Sequence, residues 1–362
     1  MPGLLKSVKV RGRNGVVMLF TYGAPCARRR SSASGWRRLA VAGALLGALA
    51  CQGLPADLGD PGEPPAAAAE LQLGSYAPGS VIDLGSESGP NHTAIGFSMP
   101  ERVGPRRASW SEGDLSTVAF NLRGGEKDYL VAFLGEPYYA LGEVPVSVAI
   151  NKRPLGETSV AGGWRAYSFV ASGGLFNPGR NELAFRFAKT GRPSDLDPQS
   201  NDLRELGVRF EQIQIQPIGV SAELALGSQS AIALAALRDG WVRDPGDRGT
   251  GTWTLGERSV MAFHLVKTEQ TPGYRLAITA RAPRGARDRP VALSLNGAPL
   301  EKLTFGDKKQ TVIIEVSKER LRFENELVFE FEQLEPPSEL DPASKDTRPL
   351  GLRVFELNVT PR

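Results

Sequence analysis

The chain has 362 residues and a formal net charge of +3, yet nine of its 43 Lys and Arg lie in the first 50 residues, which carry no Asp or Glu. The remainder holds 34 basic against 40 acidic residues, a net of −6, and so lacks the basic excess that nucleic-acid recognition calls for. With 41 Gly, 27 Pro and only Cys26 and Cys51, the folded part must cohere by packing, without disulfides.

The chain begins with a segment that does not read as part of a fold. Arg37 and Arg38 lead into Leu39–Ala50, twelve residues of Leu, Ala, Val and Gly only. That is the length of a signal-peptide apolar region and too short to span a bilayer, so residues 1–50 are predicted to direct export and then be cut away. Ala48-Leu49-Ala50-Cys51-Gln52 resembles the bacterial lipoprotein signal, in which a small residue precedes a Cys that is lipidated and becomes the mature N-terminus. The resemblance implies a protein anchored in a membrane by acylated Cys51, and Gln52 implies delivery to the outer membrane, on its periplasmic or surface face. Leu49 stands one place later than in that signal, and ordinary cleavage after Ala50 is the alternative. Cys51 has no disulfide partner, because Cys26 leaves with the signal. Residues 51–71 include Pro55, Pro61, Pro64 and Pro65 and are predicted to form an extended tether.

From residue 72 onward the chain repeats itself. Ser109-Trp110-Ser111-Glu112-Gly113 returns as Thr252-Trp253-Thr254-Leu255-Gly256, and Asn151, Pro154 and Leu155 return as Asn296, Pro299 and Leu300. Asn181-Glu182-Leu183 returns as Asn325-Glu326-Leu327. Pro193 to Pro198 with Asp202 to Gly207 returns as Pro337 to Pro342 with Asp346 to Gly351. The offset stays between 143 and 145, so residues 72–217 and 218–362 are read as two domains from one duplication. Segments such as Val146–Ile150 and Leu327–Phe331 alternate apolar and polar residues, whereas helical periodicity is nearly absent. About eight such strands per copy predict an all-β chain of two tandem antiparallel β-sandwich, jelly-roll-like domains. Asn296-Gly297 signals a hairpin, and the Pro- and Asp-rich crossing before each last strand suits a Greek-key return to the first strand.

Candidate sites follow from what the two copies share and where they differ. Trp110 and Trp253, with Gly96-Phe97 and Gly240-Trp241, are shared and read as core residues. Tyr138, Tyr139 and Trp164 are not shared, so the common fold does not demand them. Beside Gly-rich loops they are candidates for stacking on sugar faces, the alternative being rings folded back over the sheet. Asp195, Asp197 and Asp202, matched by Glu339, Asp341 and Asp346, are candidate oxygen ligands for a structural calcium ion. The competing reading makes Asp197 and Asp341 turn initiators before Pro and pairs Asp202 and Asp346 with Arg204 and Arg348. Catalytic motifs are lacking: His92 and His264 have no metal spacing, and there is no Gly-x-Ser-x-Gly elbow.

Taken together, the Gly-Phe or Gly-Trp element, the Trp-x-x-Gly strand start, the Asn-Glu-Leu strand and the closing Asp-x-Arg-x-Leu-Gly resemble a jelly-roll accessory domain. Such domains stand beside sulfatase-like hydrolases and on polysaccharide-related glycosyltransferases of bacteria. The resemblance covers most of residues 80–359, without the catalytic partner domain. It implies a non-catalytic, membrane-anchored envelope lipoprotein that binds carbohydrate. Alternatives from other classes are a structural or protein-binding envelope lipoprotein and a jelly-roll polysaccharide lyase or hydrolase.

Overall fold

The structure is a computed structural model that describes residues 8–11, 17–20, 73–86, 92–104, 106–122, 127–242, 251–285 and 289–362. Cys51 and most of the predicted signal and tether lie outside the described residues. The chain divides into two units, residues 1–67 and 68–362. In the first, the backbones of β1 (Val8–Arg11) and β2 (Val17–Phe20) pair antiparallel. Among the described residues no helix is long and apolar enough to cross a membrane.

The second unit is all-β and holds two sandwiches of the same design. The first sandwich contains β3 (Ser75–Tyr76), β4 (Val81–Asp83), β5 (His92–Ile95), β6 (Glu101–Val103), β7 (Arg106–Glu112) and β8 (Leu115–Leu122). It continues with β9 (Tyr129–Pro137), β10 (Val144–Ile150), β11 (Arg153–Val160), β12 (Arg165–Ala171), β13 (Gly179–Phe187) and β14 (Leu206–Pro217). One sheet runs β11-β10-β13-β8-β3 with β5 also on β8; the other runs β12-β9-β14-β7-β6 with β4 also on β14. The second sandwich contains β15 (Ala222–Ala225), β16 (Thr252–Leu255), β17 (Arg258–His264), β18 (Gly273–Arg281) and β19 (Arg289–Leu295). It ends with β20 (Ala298–Phe305), β21 (Gln310–Ser317), β22 (Glu324–Glu330) and β23 (Leu350–Pro361). Its sheets run β15-β23-β18-β21, with β16 on β23, and β17-β22-β19-β20. In both copies the last strand returns to pair with an opening one, β14 with β4 and β23 with β15, the Greek-key closure expected from the long crossing before it.

The repeated residues explain themselves locally. Asn151 and Lys152, at φ 51° and 66°, and Asn296 and Gly297, at 54° and 80°, occupy the left-handed region that a two-residue hairpin loop requires. Gly240 has φ 76°, and a Cβ there would stand 2.0 Å from the Arg258 carbonyl oxygen. Gly96 is its counterpart, with φ 73° and 2.5 Å to the Leu115 carbonyl oxygen. Gly240→Ala is therefore expected to cost about 2 kcal/mol in urea unfolding. Gly256→Ala, at a similar φ but facing open space, should lose only the ~1 kcal/mol of the backbone conformation. Equal losses would remove the steric account.

Each sandwich packs its own core, with compensating changes. In the first, Phe133, Phe185 and Phe210 form a ring triad with centroids 4.9 to 5.4 Å apart. The register of the second copy places Ile278, Phe329 and Val354 there. The lost aromatic volume is offset at Phe97, whose counterpart Trp241 is buried and packs edge-on to Phe329 at 5.7 Å. Its indole N–H donates to the Val260 carbonyl at 2.7 Å, satisfying the one polar atom that burial would strand.

One element has no place in the strand-only expectation. Ala231–Ala236 is a short helix, α2, capped by the Ser230 hydroxyl, which accepts from Ala233 N–H. Its small side chains let it lie close on the outer face of β9, β12 and β14, where Leu134 and Ala132 join the second core. Gln214 accepts from the Ile232 amide at 3.1 Å, and Gln212 donates to the Gln229 carbonyl at 2.8 Å. Outward glutamines of the first sandwich thus hold the entry of the second. At the same places in the second copy, Asn358 simply donates to Glu356.

Candidate functional site

Period two puts Ser109 and Ser111 inside the first sandwich and Trp110 outside it. Ser111 accepts from the Val208 amide, while Trp110 joins Tyr138 and Leu206 in a small cluster of its own on the outer face. The expectation of a core plug is corrected accordingly: Trp110 is buried and Trp253 half-buried, yet neither belongs to a sandwich interior. The reason is a cross-strand row. Trp110, Arg209 and Glu136 are register partners on β7, β14 and β9, and Arg209 pairs with Glu136 while its guanidinium lies 5.1 Å from the Trp110 ring centre. The row in the second copy is Trp253, Arg353 and Arg281, with the carboxylate replaced by a second guanidinium.

The row extends to all three unrepeated aromatics. The Arg209 guanidinium also lies 5.2 Å from the Trp164 ring, and Arg106, ion-paired with Glu211, lies 5.3 Å from that ring. Each such contact contributes on the order of 0.5–2 kcal/mol. At the other end Tyr138 packs edge-on to Trp110 at 5.9 Å, and Tyr139 follows at 4.7 Å. Trp164, Arg209, Trp110, Tyr138 and Tyr139 therefore form one aromatic and guanidinium ladder. Tyr138 is 7% exposed and serves as its inner rung; Tyr139 is 71% exposed and is the rung that meets solvent. The Tyr139 hydroxyl donates to Asp197 Oδ2 at 3.1 Å, and its hydrogen bonds with Tyr138 and then Asp197 push its pKa up to about 12.

Trp164 is the other accessible rung. It stands on the wall of a cleft of about 290 Å³, with Leu134 and Arg106 on one side and Leu226, Leu234 and Thr252 of the second sandwich on the other. Beside it, nothing lies within 4 Å of where a Cβ would stand on Gly162 or Gly163, so the approach to the ring is open. Gln229, at φ 52° and held by Arg106 and Gln212, closes the far end. Sequence reasoning found the unrepeated rings but not Arg106, Arg209, Gln229 or α2. The pairing of Glu136 with Arg209 was not available from spacing, since it joins strands 73 positions apart.

The acidic loops are occupied locally. Asp202 accepts from the side chain and amide of Arg204, and Asp346 does the same for Arg348. Asp197 and Asp341 cap the amides of Gln199 and Ala343, and Asp195 lies in the first turn of α1 (Pro193–Leu196). Among the described residues no three His, Cys, Asp or Glu gather to hold a metal ion. The hydrogen bonds from Arg204 and Arg348 lower the pKa of Asp202 and Asp346. A carboxylate with a depressed folded pKa stabilises fully above its unfolded value, ~4, and loses that contribution as pH falls through the folded one. The melting temperature is thus expected to fall between pH 5 and pH 2.5, and Asp202→Asn with Asp346→Asn to flatten that slope; an unchanged slope would dismiss the pairs as pH sensors.

No family model and no curated protein matches the chain. Among solved structures it is similar to the C-terminal CBM6 of LamC, a marine laminarinase from Zobellia galactanivorans, at 14% identity over 38% of this chain and 98% of that one, with a TM-score of 0.26. The tandem CBM22-1–CBM22-2 domain of Xyn10C from Paenibacillus barcinonensis matches at 10% identity over 79% of this chain and 99% of that one, with a TM-score of 0.27. A family 35 carbohydrate-binding module from Clostridium thermocellum matches at 10% identity over 34% and 90%, with a TM-score of 0.25.

Proposed function

We propose that the chain is a non-catalytic envelope lipoprotein, anchored through Cys51, whose paired sandwiches bind a glycan at the Trp164 cleft. The observation that carries this reading is the ladder: an indole clamped by two ion-paired guanidiniums is a rigid apolar wall set among hydrogen-bonding groups, the combination a sugar ring with apolar faces and polar edges requires. Binding is favoured over glycoside cleavage because, among the described residues, no Asp or Glu lines the cleft, and such cleavage commonly employs two carboxylates.

The test is a glycan array and polysaccharide pull-down on residues 72–362, with calcium and then with a chelator. Binding is expected in both, since Asp202 and Asp346 already direct their oxygens to arginines. Silence across the array would move the function to recognition of an envelope protein, and new reducing ends would make the chain an enzyme. Replacing Cys51 by Ser should move the protein from the membrane to the soluble fraction.

A further inference from the structure

The Trp164 cleft is not isolated. Gln229 lines both it and a second cavity, a groove of about 1350 Å³ bordered by Gln212, Gln214 and Gln216 of β14 and by Ser228 and Glu223 of the second sandwich. The cleft alone lies at the lower bound of small-ligand pockets, roughly 300–1,000 Å³. A chain longer than a ring or two must continue into the groove.

Two buried atoms at this junction define what fits. Gln212 is 8% exposed and its Oε1, an acceptor, has no hydrogen-bond partner; Arg106 is 4% exposed and its Nε, a donor, has none. One needs a donor and the other an acceptor. A hydroxyl group supplies both, whereas a carboxylate or sulfate at neutral pH has no proton to give Gln212. Nor does the site offer a large excess of positive charge. Arg106 is ion-paired with Glu211 and Arg209 with Glu136, and the groove's Arg102 and Arg107 face Asp83 and Glu223.

We infer that cleft and groove are a single binding track, built jointly by both sandwiches around Gln229, for an uncharged, hydroxyl-rich polysaccharide chain. This deepens the glycan reading above and rests on it. The duplication then produces one composite site per chain in place of two equivalent ones. Gln229 stands at the crossing with a backbone conformation that non-glycine residues rarely adopt, as strained residues at ligand sites often do.

The full chain in detergent micelles is titrated calorimetrically with laminari-, xylo-, malto- and cellohexaose and with a hexameric oligogalacturonate. One site per chain is expected, with at least a tenfold preference for a neutral hexamer. Leu234→Arg, on α2 of the second sandwich, should weaken that binding at least tenfold with the circular dichroism spectrum unchanged. Because that variant stands at a packed helix, hydroxyl-radical footprinting of the unaltered protein with the bound hexamer provides the second measurement. Protection of Trp164 together with Leu226 and Leu234 is expected. Protection confined to one sandwich, two equal sites per chain, or equally tight oligogalacturonate binding would each overturn the composite neutral site and leave glycan binding standing. Binding of no saccharide at all would remove both readings.

Discussion

Replacing Trp164 with Ala is expected to weaken glycan binding about thirty-fold or more while leaving the fold unchanged. The magnitude is that of a hot-spot aromatic, a loss of about 2 kcal/mol or more. The ring sits between loop glycines and the cleft and belongs to neither sandwich interior, so its removal leaves the ring triad of Phe133, Phe185 and Phe210 in place. Tyr139→Ala should cost less, perhaps threefold to tenfold in scale being the range of a rim aromatic, because its exposed ring contacts only Tyr138 and Asp197. Tyr138→Ala acts differently: it removes the edge contact under Trp110 and should lower the melting temperature as well as affinity. Titrations monitored by calorimetry, alongside thermal melts, separate these outcomes. Full affinity in the Trp164 variant would remove the cleft as the binding site.

The second large effect concerns stability. Asn181 is 1% exposed and uses every hydrogen bond its amide can make: Oδ1 accepts from the Asn177 amide and from Asn151 Nδ2, and Nδ2 donates to the carbonyls of Asn177 and Gly179. Asn325, fully buried in the second copy, accepts from Arg322 and Asn296 and donates to the Arg322 carbonyl. Asn181→Ala strands several buried partners at ~1–3 kcal/mol each, and a total of about 4 kcal/mol is expected. For a domain of this size that is a fall of roughly 10 °C in melting temperature. Asn181→Asp should be at least as damaging, because it keeps the acceptors, loses both donors and buries a charge. A loss under about 1 kcal/mol for either variant would refute the network as a structural pin.

These two residues also mark where sequence reading succeeds. Asn151 with Asn181, and Asn296 with Asn325, recur at nearly constant offset because a local rule requires them: a hairpin loop at positive φ, tied to the start of the neighbouring strand. The short-period strands, the Asn-Gly turn and the closing strand's return are legible for the same reason, since each depends on neighbours in the chain or on the copy 144 positions away. The helix α2 escaped notice because Ala231–Ala236 is one and a half turns long and shows no amphipathic period; only Ser230 before it carries a signal.

What the sequence by itself determined, then, is the duplication, the all-β class and the residues each copy needs to close its own sheets. Which outward faces become interior was decided by tertiary structure alone. Alternation says that Trp110, Arg209, Gln212 and Gln214 point away from the first core, but it does not say what meets them there. The answer depends on α2 and Leu226 arriving from a second sandwich, and on Trp164 arriving from a loop beyond the edge strand. Side-chain direction is a local property of the backbone, whereas burial of an outer face is a property of whatever packs on it, and no spacing along the chain records that.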